Sequence, residues 1–298
     1  MINKTISWND YLSIKVMNPS TLVHGIKSMR RLRRAIQDGF PEESNAMRLG
    51  SGIHALLLEP DEFDKRFVVM PTFNLDIANA TAKGERTDSK LTNYYKARVQ
   101  EFKESEKRSV LDAKQYDSIL NCIEEIHSRP HMIDMLHRSS KEVTVLGEID
   151  GVEFKGRMDM LAPDCITDLK TTFDIAQFER QTLRKFDYLF KMSIYRELVR
   201  QNTVGVRDVK IIAQETKDDF DNAVFSIPSE ILDHSFSHVL QVVASYKQAV
   251  ASDEWIGWDR GEKEIVIDMP YEMRKQLENV DWSGVELSSE IKEVESYY

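Results

Sequence analysis

What the chain lacks narrows it first. It has only two cysteines, Cys122 and Cys165, and their spacing offers neither a disulfide framework nor a thiolate metal site. A reducing cytoplasm is therefore the expected compartment. No apolar run approaches the length of a membrane span, and the opening MINKTISWNDYLS lacks the apolar stretch of a signal peptide. No membrane partner is expected. No internal repeat or low-complexity tract is visible. Positive charge is short as well: 40 Lys and Arg stand against 50 Asp and Glu, for a net charge of −10. That argues mildly against general nucleic-acid binding. It does not exclude an enzyme that grips DNA locally and carries carboxylates in its active site.

What is present is informative. At 298 residues and 41% apolar composition, the chain can bury a core as one large or two small domains. The stretch Glu142 to Thr171 reads EVTVLGEIDGVEFKGRMDMLAPDCITDLKT. Asp150-Gly151 is a two-residue hairpin signal, because both positions tolerate positive φ. Before it, Val143 and Val145 alternate with polar residues. After it, Val152, Phe154, Gly156, Met158 and Met160 are expected on one face, with Glu153, Lys155, Arg157 and Asp159 on the other. Ala162-Pro163-Asp164 makes a turn. A short strand from Cys165 to Leu169 follows, with Ile166, Asp168 and Lys170 on a common face.

If these strands pair, Asp159 and the Asp168/Lys170 couple converge at one end of the sheet. Carboxylates are hard ligands suited to Mg2+ or Mn2+, ions that keep waters and bind substrate phosphate. A nearby lysine can orient the attacking water or offset charge in the transition state. The alternative is a surface hairpin whose Asp and Lys residues are merely solvated. Glu142 and Glu153 are weaker candidates, and Lys155 and Arg157 share the face expected for Asp159. Structural roles are the simpler reading for all four.

Elsewhere, residues 19 to 37 predict a helix starting at Pro19 after Asn18 and ending near Gly39. Residues 45 to 59 predict a second, ended by Pro60. In it Gly50 and Gly52 remove side chains and admit another backbone, and His54 lies one turn after Gly50. Residues 72 to 93, with Lys83-Gly84-Glu85-Arg86 at their centre, are polar and read as a loop. Residues 94 to 108 and 112 to 128 predict helices, the second closed by Arg129-Pro130. Asp174-Ile175-Ala176-Gln177 resembles a capping box that opens a helix, and another runs from about Asp187 to Gln201. Val209 to Ala213 and Ala223 to Ile227 predict strands, and Ser229 to Ala251 a long helix. The densest basic cluster, Lys27, Arg30, Arg31, Arg33 and Arg34, is either a phosphate-contacting patch or a solvated helix face. The layout favours one α/β domain over 1–298: a mainly helical part (1–140) with the 45–59 helix, a sheet and helices (141–230), and a helical C-terminal part (231–298).

The segment KGRMDML…ITDLKTT resembles the RecE (exodeoxyribonuclease VIII) branch of the PD-(D/E)xK, RecB-like nuclease superfamily. Four other segments agree in the same order: MNPSTLVHGIKSMRRLRRAI, MRLGSGIHALLLEPDEFDKRFVVMP, YLFKMSIYRELV and WIGWDRGEKEIVIDMP. The resemblance spans about Asn18 to about Pro270. It implies a restriction-endonuclease-like fold, a central mixed sheet flanked by helices with helical N- and C-terminal decoration. It implies that His54, Asp159, Asp168 and the Leu169 carbonyl hold Mg2+, for which Mn2+ substitutes, and that Lys170 positions water. Asp164 completes a literal PD…DxK spelling but lies in the expected turn, so Asp159 takes the metal role.

Tyr188, Lys191 and Tyr195, at i, i+3 and i+7, share a helix face and are the candidate substrate-binding residues. The family pattern Y-x-x-Q-x-x-x-Y has glutamine where Lys191 stands. A lysine only donates and adds charge, so it either binds phosphate, marks an altered site, or is a surface residue beside two packing tyrosines. The implied activity is 5′-to-3′ exonuclease action on linear double-stranded DNA ends, leaving 3′ single strands for recombination. A single-strand annealing protein, a homo-oligomeric ring and a bacterial or phage-infected cell are implied on the same ground. An endonuclease, a single-strand-specific nuclease, or an inactive DNA-end-binding protein are the alternatives.

Overall fold

The structure, a computed structural model, describes residues 2–3, 6–39, 44–73, 88–184, 187–205, 207–262 and 264. The chain divides into two compact units, Met1–Trp258 and Asp259–Tyr298. The sheet, its helices and the site all lie in the first.

A short strand β1 (Ile2–Asn3) precedes helices α1 (Trp8–Ser13), α2 (Pro19–Leu22), α3 (Met29–Asp38), α4 (Asn45–Leu58) and α5 (Pro60–Arg66). Strand β2 (Phe67–Val69), helix α6 (Asp88–Ser105), strand β3 (Ser109–Leu111) and helices α7 (Ala113–Ser128) and α8 (Pro130–Arg138) follow. Then come strands β4 (Ser140–Ile149), β5 (Val152–Leu161) and β6 (Cys165–Thr172), and helices α9 (Phe178–Arg184) and α10 (Asp187–Asn202). Strands β7 (Asp208–Glu215) and β8 (Asn222–Ile227) and helix α11 (Ser229–Ser252) end the unit.

Six strands form one sheet in the order β1-β4-β5-β6-β7-β8. All neighbours are antiparallel except β6 and β7, whose parallel pairing needs the crossover through α9 and α10. Apolar side chains leave both faces. Val145, Phe154, Met158 and Ile166 pack with Leu198 of α10 and Val239 of α11. Met160, Leu169 and Ile212 pack on the opposite face with Ile53 of α4 and Ile119 and Ile126 of α7. The expected α/β architecture, a mixed sheet flanked by helices, is what these two cores stabilise. The hairpin is as expected too: Asp150 and Gly151 take φ of 47° and 80°.

Several expectations are corrected. The helix over 19 to 37 is broken into α2, a 3-10 turn (Val23–Ile26) and α3. Gly25 lies in the 3-10 turn, where a Cβ would meet Val242 of α11 at 2.7 Å. Ser28 then restarts the chain by accepting a hydrogen bond from the Arg31 amide. Arg129-Pro130 closes α7 but also opens α8, with proline at the position where its missing N–H costs nothing. The pairing of β2 with β3, three residues each, is too short to leave a periodic signal. Helix α6 starts at Asp88, before the expected residue 94; residues 74–87 of the expected loop, and most of the segment after Glu262, lie outside the described residues. Finally, Met160 does not share a face with Phe154 and Met158, because the strand alternation slips at Asp159.

Candidate metal centre

That slip sits at the site. The β5–β6 ladder holds only Met160 with Thr167 and Leu161 with Ile166, after which the strands part. The β4–β5 ladder is interrupted between Lys141–Met160 and Val143–Met158, leaving Glu142 and Asp159 opposite one another and unpaired. Asp159 thus lies at a break in both of its ladders. Its carboxylate takes over one lost backbone bond: Oδ2 accepts from the Leu169 N–H at 2.7 Å.

Helix α4 supplies the next group. Ser44 caps it by accepting from the Met47 amide. A Cβ on Gly50 would lie 3.1 Å from Thr171 Oγ1, and one on Gly52 2.6 Å from Ile119 Cδ1. The two glycines therefore let α4 settle between β6 and α7. One turn on, His54 Nε2 lies 2.8 Å from the Leu169 carbonyl. A carbonyl only accepts, so Nε2 carries the proton in this contact. Nδ1 then presents its lone pair, and it lies 3.6 Å from Asp159 Oδ2.

Lys170 Nζ hydrogen-bonds the same Leu169 carbonyl at 3.1 Å and pairs with Asp168. Burial alone would lower the lysine, but the carboxylates of Asp168 and Asp159 outweigh it and hold Lys170 up at about 12. It stays an ammonium at neutral pH. Burial pushes the Asp168 carboxyl up, with Lys170 pulling against it. Two oxygens from the expected ligand set, on Asp168 and Leu169, thus already face one cation.

The expected substrate-binding residues lie on α10 beside this pair. The Tyr188 ring is 5.8 Å from Lys170 Nζ and stacks on Phe178. Lys191 is half-buried, and burial and the Lys170 charge lower its pKa. Tyr195 packs on the backbone of Gly156, where a Cβ would approach its ring to 3.0 Å, and burial raises its phenol. Lys155 donates to the carbonyls of Tyr11 and Ile14. Asp164 stays in the turn, exposed and paired with Arg138 at 3.1 Å.

Ligand atoms of His54, Glu142 and Asp159 lie within 4.8 Å of one another. Asp168 stands outside that group, beside it through Lys170. An imidazole lone pair with two carboxylates is a donor set that suits a divalent ion. The sequence carries a signal for Glu142 beyond its place at the start of the first strand. It and Asp159 are equally far from the Asp150-Gly151 turn, so the hairpin register alone puts them opposite each other. Burial and the Asp159 charge raise Glu142 to about 7, against the pull of Arg157.

Among the described residues no helix is long and apolar enough to cross a membrane. Residues 25–258 match the model of a family described as a PDDEXK-like domain of unknown function (DUF3799). No curated protein matches. A crystal structure from Eubacterium rectale, described as "Putative exonuclease", superposes with a TM-score of 0.59 at 14% identity, covering 93% of this chain and 100% of that one. The crystal structure of SSO0001 covers 58% of this chain and 81% of its own at 13% identity, with a TM-score of 0.28. The first likeness is one of fold.

Proposed function

Because the chain belongs to the family of PDDEXK-like domains of unknown function, we propose that it is a metal-dependent DNA exonuclease. The observation that carries this reading is the meeting of Asp159, His54, the Leu169 peptide and the Asp168–Lys170 pair where β5 and β6 part. His54, Asp159, Asp168 and the Leu169 carbonyl are the proposed ligands of Mg2+ or Mn2+; that carbonyl accepts from His54 and Lys170 here, so it would join the ion on releasing Lys170. When bound, such an ion polarises a phosphoryl oxygen and lowers the pKa of water. The protein's own groups do the rest. His54 is oriented by the bond from Nε2 to Leu169. Lys170, charged and held by Asp168, orients the attacking water and offsets the charge that builds on the phosphate. Lys191 offers a second positive charge to the phosphate next to the one being cut, with Tyr188 and Tyr195 shaping the wall behind it.

The finer features rest on the RecE-like sequence resemblance. They are 5′-to-3′ action on linear duplex, a 3′ strand left for an annealing partner, and a homo-oligomer at work in the cytoplasm of a bacterial or phage-infected cell. Linear duplex labelled separately at the 5′ and 3′ ends, incubated with Mg2+ or with EDTA, tests them together. The expected result is Mg2+-dependent early release of the 5′ label, with a covalently closed circle of the same DNA left intact. Fragmentation of the circle would replace this reading with an endonuclease. Persistence of both labels with Mg2+ would remove catalysis from the proposal.

A further inference from the structure

Glu142 has no part in the chemistry just proposed, yet its surroundings are the least ordinary in the sheet. It is a non-glycine residue within β4 at φ of 50°, a left-handed conformation that strands avoid. Directly across the ladder stands another carboxylate, Asp159, and neither joins the pairing on either side. Like charges facing each other across two strands repel. Strained backbone of this kind persists only where the surroundings demand it, and it gathers at functional sites.

The surroundings here are specific. Arg157 is buried, and its Nε donates to Glu142 Oε2 at 2.5 Å. Its other nitrogens reach Glu59 Oε1 at 2.8 Å, at the end of α4, and the Ile6 carbonyl at 3.0 Å. One oxygen of Glu142 is therefore held, while the carboxylate keeps further lone pairs. Neutralising Arg157 does not account for the arrangement, because Glu59 already pairs with it. Nor does it explain why Glu142 comes within 4.8 Å of the ligand atoms of His54 and Asp159. A cation between the two carboxylates would offset the repulsion, and holding it is the kind of demand under which such a backbone conformation persists.

We propose that Glu142 is a ligand of the divalent ion, acting with His54 and Asp159 and held in place by Arg157. The inference rests on the metal-dependent reading of the site and adds to it an oxygen ligand from β4. Arg157 then ties the centre to the end of the helix that carries His54.

Calorimetric titration of the full chain with Mn2+, without DNA, reads ion binding apart from cleavage. Glu142→Gln keeps the size of the side chain and removes its charge. It is expected to weaken Mn2+ binding on the order of 10- to 100-fold or more, the scale seen when a metal site loses even an outer partner. Asp159→Asn is expected to lose binding as well. Loss in Asp159→Asn with wild-type affinity in Glu142→Gln would overturn the assignment and leave the metal centre standing. Absence of Mn2+ uptake by the wild type would overturn both. Uptake that depends on Glu142, without any cleavage of DNA, would support the ligand and remove only the nuclease reading. Should Glu142→Gln not fold, Glu142→Asp, which shortens the reach of the carboxylate, is titrated under the same criterion.

Discussion

Asp164 completes the literal PD…DxK spelling that ends in Lys170, yet the surroundings of the two residues differ. Lys170 is wedged between Asp168 and the Leu169 carbonyl. Asp164 is an exposed turn residue whose carboxylate meets Arg138. Under saturating Mg2+, Lys170→Ala is expected to cut at least about a hundredfold more slowly, the scale of losing one oriented charge-stabilising donor. Its binding of DNA ends and metal should persist. Asp164→Ala should cut at nearly the wild-type rate. Single-turnover cleavage of both variants decides, and an inactive Asp164→Ala beside an active Lys170→Ala would redraw the site. Glu142 makes a different prediction, about pH. Its folded-state pKa is raised from 4.5 to about 7, first by burial and then by Asp159. The folded protein therefore binds more protons than the unfolded chain between those values. Its stabilising contribution is full below about pH 4.5 and is lost as pH rises through about 7, on the order of 3 kcal/mol in total. Urea denaturation in EDTA at about pH 5 and about pH 8 should show the wild type losing stability relative to Glu142→Gln over that window. An equal change in both proteins would mean that Glu142 is not the group responsible.

At the scale of elements, most of the framework was legible, because strong periodic patterns and turn chemistry act locally. The Asp150-Gly151 hairpin, the turn at Ala162-Pro163-Asp164, β7, β8 and α11 follow from residues next to one another. The breaks were not legible, because their causes are distant in sequence. Gly25, in the 3-10 turn between α2 and α3, leaves room for Val242 far along the chain. Asp159 lies where two ladders break, and its carboxylate bonds the Leu169 amide of β6. His54 and Leu169, far apart in sequence, needed the resemblance to be considered together, and only the fold shows Nε2 placed 2.8 Å from the carbonyl. Glu142 was within reach of register arithmetic, but alternation alone assigned it to the strand's beginning. The glycines of α4 carry a testable part of this logic. Ala at residue 52 already puts a Cβ 2.6 Å from Ile119, so Gly52→Val must push α4 away from α7. Overpacking of this kind costs about 1–3 kcal/mol. The helix that carries His54 moves with it, so Mn2+ affinity should fall together with the melting temperature. A destabilised Gly52→Val that keeps wild-type Mn2+ affinity would show that His54 does not depend on this contact.

For the molecule as a whole, the proposed function poses a puzzle: how a chain of net charge −10 would hold a polyanion. The basic residues are few but placed together. Lys27, Arg30, Arg31 and Arg34 are exposed on and just before α3. Lys27 and Arg31, with Lys191, lower the pKa of His24 after the larger effect of its burial. Lys191 in turn feels Lys170. Positive charge therefore runs from the surface of α3 toward the site, while Arg33 is committed to Asp253 at 3.6 Å and lies over Trp255. If this run tracks the DNA backbone, each contact contributes to the salt dependence of binding, about 0.9 per phosphate in the slope of log K against log salt. The double substitution Lys27→Ala, Arg31→Ala should then flatten that slope by about two and weaken binding alike on duplexes of different sequence. Arg33→Ala should leave it unchanged. The measurement is end binding to linear duplex across a salt series, in EDTA so that no cleavage intervenes. An unchanged slope in the double variant would return α3 to a solvated helix face and leave Lys170 and Lys191 as the phosphate-facing charges.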